Sequence, residues 1–258
     1  MHNKIELNIL TFILIEALFL LYSLKINIIN LILGTILGII FIQFFSNIKK
    51  NGFIKIILLI ISICLVIYSS LEITYFITNN LLTNYPYIII LISLFIVSYF
   101  LIKNNYHSFI KAVEIISYFF FAIKILSFLL VLPNINIDNI NSSLLTELNI
   151  NITILFVALI IFFLHQTIFY LTNNKVSKKT YIVSIINPFV IKILSILVMG
   201  KNLFYLYDYP YINVLRRIKY LNFIERMEGI LSFEYLFSFI ILLSFLLLFI
   251  RNAIKKTN

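Results

Sequence analysis

Seven ionisable side chains sit where the chain is otherwise almost continuous hydrocarbon: Glu16, Glu72, Glu114, Lys124, His165, Lys192 and Glu234. A charge at the centre of an apolar span costs about 2.5–3.5 kcal/mol on insertion scales, so such groups mark interior or functional positions. The chemistry open to them is electrostatic and acid–base. Glu16, in the middle of the first apolar run, can act as counter-charge to an amine, carry a coupling proton, or form a structural pair with Lys124 or Lys192. Lys124 is central in its own run and shares one helical stripe with Glu114, Ser117 and Phe121. His165 can titrate near neutrality or simply face polar atoms near the end of its run. For Glu72 and Glu234, close to run ends, snorkelling to the headgroups is a sufficient account. Glu16, Glu72, Glu114, Lys124 and His165 are the candidates for ligand binding or coupling. No metal-ligand spacing, phosphate loop or nucleophile with a placed base occurs, so neither an enzyme nor a cofactor protein is expected.

The elements that must position these groups follow from composition. Hydrophobic residues make up 62% of the 258 residues and mean hydropathy is +1.07, which excludes a soluble globular domain and points to an all-α polytopic membrane protein. A single membrane domain, 1–258, is expected. Eight apolar runs of spanning length stand at about 7–25, 27–46, 54–77, 86–102, 110–132, 151–171, 181–199 and 230–250. The connection at 25–27 is so tight that the first two runs could instead form a broken pair. The lone Cys64 lies inside an apolar run and suggests no thiol chemistry. Lys25, rather than a small-residue cleavage site, follows the first run, so no cleavable signal peptide is expected.

Charge sets the orientation. The net charge of +10 would suggest nucleic acid in a soluble chain; here it reads as loop charge that fixes topology, with no nucleic-acid partner. With the N-terminus inside, the inner loops carry Lys49, Lys50, Lys103, Lys175, Lys178 and Lys179, and the tail carries Arg251, Lys255 and Lys256. The outer loops 78–85 and 133–150 hold no Lys or Arg. Both termini are therefore expected in the cytoplasm of a bacterial inner membrane. Gly34-Thr-Ile-Leu-Gly38 reads as close helix packing within the protein rather than a dimer interface.

One late segment, Tyr207 to Glu228, is too polar to span and breaks the charge pattern, with Arg216, Arg217, Lys219 and Arg226 on the outer side. An amphipathic outer segment over 201–229, folded against the protein or the headgroups, is expected. Its order of residues is similar to a family motif: Tyr209-Pro210, then Arg216 or Arg217, then Phe223, then Arg226-Met-Glu228 before a final span. Lys111-Ala-Val-Glu114 and Leu132-Pro-Asn-Ile-Asn-Ile-Asp138 add matches in the same order. On these residues the chain resembles the spore germination permeases, the B subunits of bacterial nutrient germinant receptors, within the amino acid–polyamine–organocation superfamily.

The resemblance implies a LeuT-like fold of two inverted five-helix repeats, with a ligand site near the midplane where the first helix of each repeat is broken. Eight runs leave the second repeat without its last two helices. The first run, Thr11 to Leu18, lacks a central Gly, and the sixth, Phe156 to His165, has neither Gly nor Pro to open its backbone. By analogy with proton-coupled members of the superfamily, Lys124 could stand where others hold a sodium ion. The implied function is sensing of a small-molecule germinant such as an amino acid during germination, beside an A-type membrane subunit and a C-type lipoprotein. The alternatives are a proton-coupled amino acid transporter and a degenerate, non-transporting scaffold.

The orientation is open to direct measurement. In a Cys64→Ser background, single cysteines at Asn139 and Asn213 should label with an impermeant reagent from outside, and one at Ser177 should not. External labelling at Ser177 with protection at Asn139 reverses the assignment.

Overall fold

The computed structural model describes residues 4–21, 28–45, 52–82, 84–103, 105–140, 152–217, 229 and 232–255. Among these residues the α-helices, in order, are α1 Lys4–Leu21, α2 Ile28–Phe45, α3 Gly52–Asn80, α4 Tyr87–Ile102, α5 Tyr106–Val131, α6 Thr153–Thr172, α7 Lys178–Met199, α8 Lys201–Leu206, α9 Pro210–Arg217 and α10 Phe233–Lys255. Two short 3-10 turns, Leu132–Asn134 and Ile137–Ile140, follow α5. Among the described residues there is no strand. The chain is an all-α membrane protein in its build: α3, α5, α6, α7 and α10 are long and apolar enough to cross a bilayer, and α2 and α4 are shorter apolar helices. Together with α1, these helices coincide with the expected apolar runs.

Lateral contacts fix the direction of each helix. Thr180 donates to Asn8 at 2.7 Å, and two turns further on Asn187 donates to Glu16, so α1 and α7 run parallel. His165 pairs with Tyr181 at the same end, and Tyr170 meets Phe249 with ring centres 5.5 Å apart, which sets α6 and α10 antiparallel to α7. Arg251 of α10 donates to the Ile102 carbonyl at the end of α4. These contacts bring Lys103, Lys178 and Arg251 to one end of the bundle, the end expected from charge to lie inside.

Gly34 and Gly38 set a close helix approach. α2 lies parallel along α6, and a Cβ added at Gly34 would stand 2.6 Å from the Val157 Cβ and 2.8 Å from the Ile154 carbonyl oxygen. At Gly38 it would stand 3.1 Å from Ile161 Cβ. The GxxxG pattern is thus spent inside the chain, where van der Waals contact between backbones replaces the hydrophobic drive that lipid cannot supply. Asn30 extends the seam with a 2.8 Å bond to Thr153. The first two runs, then, find their main partners elsewhere: α2 on α6, α1 on α7 and α10.

Helices α3, α4 and α5 turn Ile60, Ile67, Ile88, Phe100, Tyr118 and Phe119 outward. That apolar belt belongs in a lipid bilayer. The opposite faces carry small polar residues: Ser62, Ser69 and Thr74 on α3, and Ser117 and Ser127 on α5, each donating back to its own helix carbonyls. Such residues let helices approach closely without leaving a hydroxyl unsatisfied in hydrocarbon.

The seam makes a quantitative expectation. Gly34→Ala should destabilise the purified protein by about 1–3 kcal/mol through overpacking, measured by thermal unfolding in detergent. Gly52→Ala, with nothing within 4 Å of the added Cβ, should leave stability unchanged.

Candidate functional site

The site grows from one stripe of α5. Val113, Ser117, Phe120, Lys124, Ser127 and Val131 recur at three- and four-residue spacing and are all buried. Toward the C-terminal end of this stripe the Lys124 ammonium enters a space bounded by α1, α7 and α10. Glu16 of α1 pairs with it directly. Glu234, one residue into α10, places Oε1 2.9 Å from Nζ as an ion pair without hydrogen-bond geometry. Both carboxylates are fully buried and Lys124 is 4% exposed. The ammonium also lies 4.5 Å from the centre of the Phe120 ring and 5.8 Å from that of Phe12, where the ring faces supply further negative potential.

Second-tier partners hold the carboxylates. Asn187 donates to Glu16 Oε2. The next residue, Pro188, sits inside α7 and lacks an N–H, so the Ser184 carbonyl loses its helical donor beside the cluster. Ser127 Oγ donates to its own-helix Lys124 carbonyl at 2.8 Å and stands 3.3 Å from Glu234 Oε2. Tyr211, from the short helix α9, donates to Ser127 Oγ at 2.8 Å and covers the site at that end.

The outer segment folds as two short helices across its described part. Gly200, at φ +80°, turns the chain from α7 into α8 in a region that side-chain-bearing residues rarely adopt. α9 then begins at Pro210, whose fixed φ suits a first helical position. It buries Tyr211, Ile212, Val214 and Leu215 and leaves Arg216 and Arg217 exposed, as an amphipathic segment lying on the protein should. Tyr209 reaches Glu72 of α3 at 3.3 Å, and Arg216 reaches the Asn80 side chain at 3.0 Å. Tyr209 and Tyr235 pack on Phe76, with ring centres 5.0 and 5.6 Å away, so an aromatic layer lies above the charges. Burial, with the nearby Glu72 carboxylate, pushes the Tyr209 phenol up; burial and the Glu234 carboxylate do the same at Tyr211. Both therefore remain O–H donors at any ordinary pH.

Of the expected candidates, the structure brings Glu16 and Lys124 together and sets the others apart. Glu72 meets Tyr209 just before α9, and α9 with the residue before it is the lid over the charges. Glu114 is half-buried about three turns below Lys124 and outside the cluster. His165 lies near the other end, 3.1 Å from Tyr181 Oη. Lys192 lies over the rings of Phe204 and Tyr205, at 5.4 and 5.6 Å. The snorkelling account of Glu234 is corrected: its carboxylate turns inward to the ammonium, not outward to headgroups. Of the motif residues, Tyr209, Pro210 and Arg216 lie in the lid, while Phe223, Arg226 and Glu228 lie outside the described residues. Asn187, Ser127 and Tyr211 are participants that the sequence reading did not single out.

Two open apolar spaces, of about 500 and 320 Å³, include none of the charged residues. Among the described residues no group of three His, Cys, Asp or Glu side chains could hold a metal ion. Comparison with protein-family models, characterised proteins and solved structures finds no match for this chain.

With three charged groups rather than two, neutralisation has a definite order. Lys124→Met leaves two buried carboxylates facing each other and should cost about 3–5 kcal/mol. Adding Glu16→Gln should restore only part of this, because Glu234 still lacks its cation. Adding Glu234→Gln as well should restore the rest, read as folded yield and thermal midpoint across the series.

Proposed function

We propose that this chain is a permease-like membrane subunit of the spore nutrient germinant receptor class, which senses a small molecule such as an amino acid. One observation carries the reading: two carboxylates share one ammonium, fully buried, beneath an amphipathic lid. A structural pair needs one partner for Lys124. With all three groups ionised the cluster holds one negative charge in excess, and burying an uncompensated charge is strongly unfavourable. Such a cluster favours binding a proton or a cationic group, and an amino acid or amine supplies the latter. Tyr209, Pro210 and Arg216, beside or within the short helix that covers it, are among the residues on which the germination-permease resemblance rests. The A-type membrane subunit and C-type lipoprotein remain the proposed partners, the cytoplasm the proposed side of both termini, and spanning helices in a LeuT-like arrangement the proposed architecture.

Proton-coupled amino acid transport is the second reading, and the excess carboxylate favours it equally. Against it stand α1 and α6, which run as continuous helices without the opened backbone that a substrate usually meets in such folds. A scaffold that binds nothing is the third.

The readings separate in a complementation experiment with the twenty amino acids as probes. Spores that lack the gene should regain a germination response with the parent, and not with Glu16→Gln at equal abundance. Uptake into proteoliposomes that collapses with the proton gradient would select the transporter. No response, binding or uptake in the parent would leave the scaffold.

A further inference from the structure

Beyond housing a ligand, the cluster is wired to the lid through a single hydroxyl. Ser127 Oγ has one proton and two acceptors within reach: the Lys124 carbonyl at 2.8 Å and Glu234 Oε2 at 3.3 Å. Its lone pairs receive the Tyr211 phenol at 2.8 Å. A hydroxyl can donate only one proton, so the two acceptors compete for it, and the charge on Glu234 decides the competition. Donation to an anion polarises the serine oxygen and makes it the stronger acceptor for Tyr211. Neutralising Glu234 removes that polarisation and loosens the phenol.

The other grips on the lid do not sense this charge. Tyr209 bonds Glu72 and Arg216 bonds Asn80, both on α3 and both away from Lys124. The groups that face Glu234 are Lys124 and Ser127 from α5, Glu16 from α1, Tyr211 from α9 and its own neighbour Tyr235. Among the described hydrogen bonds of α9 and the residue before it, the Tyr211–Ser127 bond is thus the one that joins the lid to the charge cluster.

We propose that Ser127 is a latch that reports the charge of the Glu16–Lys124–Glu234 cluster to the outer helix α9, holding it closed while Glu234 is ionised and releasing it when that charge is neutralised by a proton or drawn to a bound cation. This rests on the cluster being the working site, and it gives that site an output on the outer face.

The test needs no ligand and is therefore independent of the sensing experiment. Val214, fully buried beneath α9, becomes a reporter as Val214→Cys in a Cys64→Ser background. Its reaction with an impermeant maleimide in proteoliposomes measures lid opening. Tyr211→Phe and Glu234→Gln should each speed labelling about tenfold, the factor that loss of one net hydrogen bond allows. Combined, they should go no faster than either alone, because both break one chain. Tyr209→Phe, which loosens a grip outside the chain, should instead multiply with Glu234→Gln. Ser127→Ala, which leaves every charge in place, should match Tyr211→Phe and serves if Glu234→Gln fails to fold. Unchanged labelling in Ser127→Ala, or effects of Tyr211→Phe and Glu234→Gln that multiply independently, would overturn the latch.

Discussion

The organisation of this bundle depends on the position of one ammonium group. Lys124 projects from a membrane-length helix into a buried interior, so its charge must be met by protein. Meeting it requires α1, α7 and α10 to converge on one stripe of α5, since Glu16, its partner Asn187 and Glu234 come from three separate helices. Apolar packing alone does not specify such convergence, because lipid tails solvate Ile and Leu faces as well as another helix does. The buried charges give the central helices a fixed register, and the outward faces of α3, α4 and α5 are left to the lipid.

Polar residues elsewhere follow the same economy. Most Ser and Thr hydroxyls on the spanning helices close onto their own backbone, so they tighten packing without demanding a partner. Other polar groups reach across to a neighbouring helix, and the α1–α7 contact carries one such pair toward each end. At one end Asn8 meets Thr180; near the other Asn187 meets Glu16. His165 and Tyr181 sit close to the first of these, far from the charges.

Much of this frame was legible in the residue pattern. The helices α1 to α7 and α10 fall on the expected apolar runs, since hydrocarbon length and backbone hydrogen bonding leave a chain little choice within a bilayer. The amphipathic character of 210–217 was also legible, from aromatic and aliphatic residues interleaved with Arg216 and Arg217. Which helices face each other was not. Glu234 stands at the very start of its helix, where depth along the axis alone suggests escape to the headgroups. Only the tertiary arrangement turns it toward a lysine 110 positions earlier. Asn187 and Ser127 were hidden for a different reason. Each is an uncharged residue among many in an Asn- and Ser-containing chain, and its importance comes entirely from the charged neighbour it happens to meet.

Pro188 adds a mechanical dimension to this electrostatic picture. A helix that lacks one rung of its ladder bends most easily at that place. In α7 the missing rung falls beside Asn187, whose amide is anchored on Glu16. The place where α7 is least restrained by its own backbone is thus next to the residue that ties it to Glu16, so any bend there would shift the Asn187 amide relative to the carboxylate.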